Sequence, residues 1–155
     1  MAERPSLAVP EGAEGVALLR AVRAGTAVVV VTSLAAAVAP GALGVVHAGA
    51  SVVLFATGTG AMLGAYGLGV RRSRREQVDI PGLFLLAGDV APPGVRRLLR
   101  MALAVQAVAV VAAASVRPFT EVAFGILAPM YGLGMMALWA GRHGRFPPRG
   151  PRSPA

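Results

Sequence analysis

The chain has 155 residues, of which 55% are hydrophobic and only 14% are charged, and its formal net charge is +8. Soluble domains carry about 25% charged residues, so this composition excludes an ordinary water-soluble globule. All fifteen basic residues are arginine and there is no cysteine, which excludes disulfides and thiolate chemistry. Because the arginines stand between long apolar runs, the charge predicts a membrane topology rather than nucleic-acid binding.

The apolar runs predict four transmembrane helices. Residues 24–70 contain no Asp, Glu, Lys or Arg. A helix needs about 20 apolar residues to cross a bilayer, so this run accommodates two helices with a turn at Pro40 and Gly41. We place the four helices at about 21–39, 45–69, 97–116 and 119–141, with Pro129 kinking the last one. The predicted fold class is an all-α integral membrane protein, a four-helix bundle of two hairpins over residues 19–141.

The segments outside the helices predict the topology. Residues 1–18 and 142–155 are rich in proline, glycine and charge and are expected to be disordered tails. With four crossings, fourteen of the fifteen arginines fall on the side that holds both tails and the loop 70–96, and only Arg117 falls on the other. The positive-inside rule therefore predicts a cell (inner) membrane protein with both termini in the cytoplasm.

Small residues predict how the helices pack within the bundle or, as the alternative, between copies of the chain, because close backbone approach drives helix association in lipid. Glycines share one face of the second helix and another of the fourth, and the third helix offers a single amide at depth. We expect leucine at Gly60 or Gly64 to be more destabilising than leucine at Gly58 or Gly69. The predicted packing residues are Gly49, Gly60, Gly64, Gly67, Gly125, Gly132 and Gln106.

The loop 70–96 is the most distinctive polar segment. Its apolar insert 83–88 is too short to span a membrane, and is expected to lie in the headgroup interface, dip inward or cover the mouth of the bundle. Arginines flank the insert on both sides, as in segments that contact anionic lipid or an acidic partner. These candidate contact residues are Arg71, Arg72, Arg74, Arg75, Arg96, Arg97 and Arg100.

The predicted spans lack the ionisable residues at depth that integral membrane enzymes and ion-coupled transporters usually show. None of the four segments has an acidic or basic residue in its interior, and His47 and His143 have no neighbouring ligands in sequence. We therefore predict no catalytic site, no metal and no cofactor. The leading hypothesis is an accessory or scaffolding protein whose partners are membrane lipids and another membrane protein or a second copy, without nucleic acid. The alternative is an oligomeric small-solute transporter or pore subunit, lined by Ser51, Thr57, Thr59 and Gln106.

Two segments carry a family resemblance. They are the loop Gly-Leu-Phe-Leu-Leu-Ala-Gly-Asp-Val-Ala-Pro and the ending Gly-Leu-Gly-Met-Met-Ala-Leu-Trp-Ala-Gly-Arg-His-Gly-Arg-Phe-Pro-Pro-Arg. Together with a composition rich in alanine, valine, glycine and arginine, they resemble small multi-pass membrane proteins of high-GC actinobacteria. The resemblance covers about residues 20–149. It implies a multi-pass membrane fold and brings no activity and no active-site residue.

Overall fold

The computed structural model describes residues 13–149. Within them, four segments are long and apolar enough to cross a membrane, so the predicted all-α, four-helix fold is confirmed and the chain is a multi-pass membrane protein. The helices are α1 (Ala13–Val38), α2 (Ala42–Arg72), α3 (Ile80–Leu85), α4 (Pro93–Val116), a 3₁₀ helix (Glu121–Leu127) and α5 (Pro129–His143). The three-residue turn between α1 and α2 contains Gly41 at φ +91°, a conformation that glycine adopts without steric cost.

The fourth span is not the single helix predicted over 119–141. It begins as the 3₁₀ helix and continues as α5. Proline has no N–H to donate, so Pro129 cannot bond to Gly125, whose carbonyl instead accepts from Ala128 N at 2.9 Å. The fifteen residues of α5 would reach only about 22 Å as an α-helix. The seven residues of the 3₁₀ helix add about 14 Å, which brings the pair to the thickness of a bilayer core.

Two helices, α1 and α4, begin four or more residues earlier than predicted. α1 starts at Ala13 rather than near residue 21, so the predicted disordered tail 1–18 is wrong for residues 13–18, and residues 1–12 lie outside the described part. α4 starts at Pro93 rather than near residue 97, with a proline in its first turn, where the missing N–H costs nothing. In both helices the arginines near the start are compatible with the helix because their side chains extend toward its polar end.

The helices are arranged around α5. Nine of its fifteen residues are buried, and it contacts α1, α2 and α4. α1 and α4 run in the same direction, since Thr26 bonds to Gln106 and the carbonyl of Ala37 accepts from Arg117. We call the end where α2 and α5 terminate the basic end, and the opposite end, at the turn before α2, the far end.

The basic end is closed by a cap made of α3 and residues 144–149. Leu83 and Leu86 of the apolar insert are buried in one cluster with Leu18 of α1 and Leu99 of α4. Of the three positions considered for this insert, the structure therefore shows the one over the mouth of the bundle. Phe146 joins the same cluster, so residues 144–149 are packed rather than disordered. The remainder of the predicted tail, 150–155, lies outside the described residues.

Candidate functional site

Arg72 at the end of α2 fastens the end of α5. Its Nη1 donates to the carbonyls of Gly141 at 3.1 Å and Ala140 at 3.4 Å, and its Nη2 donates to Gly144 at 2.7 Å. The last carbonyls of a helix have no partner within the helix and carry the negative end of its dipole. Glu76 pairs with the same guanidinium at 2.7 Å. Arg72 was predicted to contact a partner or lipid, but the structure uses all its nitrogens inside the protein.

Two more of the predicted contact arginines bind the cap. Arg100 donates from Nε and Nη2 to the carbonyl of Leu85 at 3.0 and 2.8 Å, and also reaches the carbonyl of Leu86. Arg96 donates to the carbonyl of Gly88. Both side chains thus satisfy main-chain acceptors at the end of α3 and just after it, where the chain turns through Leu86 in the left-handed conformation. These two arginines hold the loop on the bundle.

Main-chain hydrogen bonds attach the C-terminal segment to the loop. Gln77 N donates to the carbonyl of Pro147 at 2.8 Å, and the N–H of residue 149 donates to the carbonyl of residue 75 at 2.9 Å. The N–H of residue 145 donates to Val90 O at 3.0 Å. The ring of Phe146 lies under the Arg72 guanidinium, 5.1 Å from its centroid, a cation–π distance. The loop and the tail therefore form one ordered surface.

The other four predicted contact arginines remain on that surface. Their side chains are exposed and make no hydrogen bond or ion pair with the described side chains, those of residues 15–149. Arginines of the α5 end and the tail add to them. Of the acidic groups nearby, Glu76 is paired with Arg72, and Asp79 accepts from Gly82 N at the start of α3. The surface arginines are Arg71, Arg74, Arg75 and Arg97, with Arg142, Arg145 and Arg149 beside them.

Gln106 bridges three helices in the middle of the bundle. Its Nε2 donates to Thr26 Oγ1 at 2.7 Å, and its Oε1 accepts from Gly132 N at 3.2 Å. Gly132 lies in the first turn of α5, where Pro129 has interrupted the helical ladder and N–H groups lack helical partners. A side chain at Gly132 would collide with Gln106 Oε1, 2.7 Å from an ideal Cβ. The structure thus brings together two of the predicted packing residues.

His47 is fully buried between α1, α2 and the 3₁₀ helix. Its Nδ1 lies 2.9 Å from Thr32 Oγ1, and that hydroxyl donates its proton to the carbonyl of Val28 at 2.8 Å. Nε2 lies against Gly125 and has no hydrogen-bond partner among the described residues.

The predicted seam on α2 is wrong within the chain. An ideal Cβ at Gly49, Gly60, Gly64 or Gly67 meets nothing within 4 Å, whereas one at Gly58 meets the backbone of Met130 and Tyr131. The buried face of α2 comprises Gly44, His47, Ser51, Gly58, Ala65 and Gly69. Both faces carry small residues, so composition alone did not separate them.

A seven-residue spacing distinguishes the buried face. Gly44, Ser51, Gly58 and Ala65 recur at this interval, which is the repeat that keeps one seam of a helix facing a neighbour in left-handed packing. This repeat is visible in the sequence and predicts the buried face of α2. Sequence reasoning also missed the buried position of His47, because the residue stands near the predicted helix end.

The described residues contain no group of three or more histidine, cysteine, aspartate or glutamate side chains that could hold a metal ion. No protein-family model, curated protein or solved structure matches the chain. Function is therefore inferred from the contacts and charges described above.

Proposed function

We propose that this multi-pass membrane protein is an accessory or scaffolding subunit that presents its basic end to an acidic segment of a partner protein. The observation that carries the proposal is that some loop arginines bind main-chain carbonyls while the others are exposed. Arg72, Arg96 and Arg100 bind main-chain carbonyls, while Arg71, Arg74, Arg75 and Arg97 are exposed. The cap holds these charges on an ordered surface, which reduces the entropy lost when a partner binds.

The length of α2 favours a protein partner over the lipid surface. The 31 residues of α2 extend about 46 Å, and about 44 Å along the normal at a typical 20° tilt. The hydrocarbon core is about 30 Å thick and headgroups bring the bilayer to about 40–45 Å. With Ala42 at the far boundary of the core, Arg71, Arg74 and Arg75 stand at or beyond the headgroups. We propose that this end faces the cytoplasm, as the arginine distribution favours.

A binding measurement in nanodiscs of neutral lipid tests the proposal. The probe is a fluorescent peptide of twelve glutamates, followed by anisotropy at increasing salt. Replacing Arg71, Arg74, Arg75 and Arg97 with glutamine should weaken binding about tenfold or more, because exposed charge pairs contribute about 0.2–1 kcal/mol each. The matched control replaces the same four residues with lysine, which preserves the charge and should preserve most of the binding.

A second arm of the experiment tests whether the surface binds an acidic protein segment or anionic lipid. Vesicles of phosphatidylglycerol replace the peptide, and their association with the nanodiscs is measured. If the glutamine variant loses vesicle association but binds the peptide as wild type does, the surface is a lipid contact and the partner proposal fails. If neither probe distinguishes glutamine from wild type, the exposed arginines serve topology alone, and the proposal fails as well.

One observation favours the alternative, an oligomeric transporter or pore subunit. Ser33, His47, Ser51 and Gln106 are polar and buried within the spans. Thr57, by contrast, is exposed on α2 and would line a path only where copies meet. Flux of a small solute into liposomes that contain the purified protein, abolished by Gln106→Leu and unaffected by the four glutamine substitutions, would replace the scaffolding proposal with this one.

A further inference from the structure

A groove of about 460 Å³ opens between α1 and α4 toward the outside of the bundle. Ligand clefts in proteins range over about 300–1,000 Å³, so the groove has the capacity of a binding site. Small side chains create it, since Ala27 and Ala102 leave space between the two helices. The lining residues are Arg23, Thr26, Ala27, Val30, Val31, Leu98 and Ala102.

One charged group lies in this apolar lining. Thr26 already donates to the carbonyl of Val22 and accepts from Gln106, so its hydroxyl is engaged. The Arg23 guanidinium is exposed and makes no hydrogen bond or ion pair with the side chains described in the structure, those of residues 15–149. Arg20 lies one turn closer to the basic end on the same face of α1. The groove therefore combines an apolar trough with one guanidinium group in its lining and a second on the same face of α1, one turn closer to the basic end.

The position of Arg23 relative to the bilayer favours an anion as its partner. Fifteen residues separate it from Val38 at the end of α1, a distance of about 22 Å, which is less than the roughly 30 Å of the hydrocarbon core. With Val38 at the far boundary, the Arg23 backbone lies about 8 Å inside the core. A guanidinium at this depth extends toward the headgroups and is stabilised by a phosphate, which arginine binds with two parallel hydrogen bonds.

We propose that this groove binds one anionic phospholipid, with an acyl chain against Ala27 and Val30 and the phosphate between Arg23 and Arg20. A zwitterionic lipid offers the same chain but brings a cationic headgroup beside two arginines, so the site should select net negative charge. This lipid site lies on the side of the bundle, apart from the surface arginines proposed to bind a partner, and either proposal can hold without the other.

Competitive lipid binding tests the site. The purified protein in detergent is incubated with equal amounts of phosphatidylglycerol and phosphatidylcholine of identical chains, and bound lipid is counted by native mass spectrometry. Wild type should favour phosphatidylglycerol about fivefold, the ratio that corresponds to about 1 kcal/mol for a basic residue near anionic lipid. Arg23→Gln should reduce this preference, because only Arg20 then remains near the phosphate. Arg23→Lys, which retains the charge, should preserve part of it.

A second pair of variants tests the apolar part of the groove. Ala27→Phe fills it and should reduce the bound amount of both lipids by about half or more, since the acyl chain loses its contacts. Ala104→Phe adds the same ring at an exposed position of α4 outside the groove and should leave binding unchanged. Both alanines are exposed, so neither variant overpacks the core.

Three results would overturn the lipid site. The first is a wild-type protein that binds the two lipids equally. The second is an unchanged phosphatidylglycerol preference in Arg23→Gln that disappears in the variant with glutamine at Arg71, Arg74, Arg75 and Arg97, which would place the lipid at the basic end. The third is equal loss in Ala27→Phe and Ala104→Phe, which would show contact with the whole helix surface and not with the groove.

Discussion

The contact between α2 and α5 at Gly58 gives the sharpest test of the packing. A methyl group at Gly58 would lie 2.5 Å from Met130 C and 2.5 Å from Tyr131 Cα, which are backbone atoms that cannot rotate away. At Gly60, two residues along the same helix, a methyl group meets nothing within 4 Å. We expect Gly58→Ala to lower the free energy of unfolding relative to Gly60→Ala.

The comparison isolates the steric part of the effect. Both substitutions replace glycine by alanine inside α2, so the gain in helix propensity, about 0.8–1 kcal/mol, is common to both. The difference between the variants is then the overpacking cost, about 1–3 kcal/mol. Reversible unfolding in mixed micelles with increasing dodecyl sulfate, followed by circular dichroism, measures it. Equal destabilisation by Gly58→Ala and Gly60→Ala would refute the close contact between α2 and α5 at Gly58. A larger effect of Gly60→Ala would support the packing face that was predicted from sequence.

Three further predictions concern side chains and topology. Arg72→Gln should lower the free energy of unfolding by about 1.5–3 kcal/mol, the range for hydrogen bonds to charged groups. The control Arg71→Gln should change it by less than about 0.5 kcal/mol. Equal values for the two variants would mean that Arg72 does not hold the end of α5. Gln106→Leu should cost about 0.6–1.7 kcal/mol in the same assay, and an unchanged stability would contradict its bridging role. A phosphatase that is active only outside the cytoplasm should be silent when fused to either terminus and active after Arg117; activity at the C-terminus would contradict the four-span topology.

The number of spans was predictable from sequence because it depends on hydrophobic length. The first and last residues of the helices were not predictable in this way. The uncharged run 24–70 is long enough for two helices and contains one turn signal, which the structure places at residues 39–41. The uncharged window begins at residue 24, whereas α1 begins at Ala13 and contains both Arg20 and Arg23. Arginine is a good helix former whose long side chain reaches a polar region from inside a helix. An arginine therefore ends the uncharged stretch of sequence but does not end the helix.

The contacts between spans were only partly predictable, because they depend on which of two small-residue faces meets a neighbour. In α4 the single amide at depth marks the face that packs, and Gln106 does meet Gly132 of α5. In α2 the face at Gly60 and the face at Gly58 both satisfy the small-residue pattern. The glycine of α5 at position 134 lies against the carbonyl of Gly58. The seven-residue repeat of Gly44, Ser51, Gly58 and Ala65 favours the Gly58 face within α2 itself, and the contact with α5 agrees with it.

The exclusive use of arginine follows from the roles that the structure gives these residues. Arg72, Arg96 and Arg100 each donate to main-chain carbonyls at the basic end, and Arg117 does so at the far end. Arg72 reaches several acceptors at once, which suits a planar guanidinium with five N–H groups and exceeds what a lysine ammonium offers in fixed geometry. The charges expected to set the topology therefore also close the helix ends, where water at the membrane boundary would otherwise compete for the carbonyls. Substituting an arginine that has such an acceptor perturbs the fold, so partner or lipid binding is properly tested only on arginines that have none.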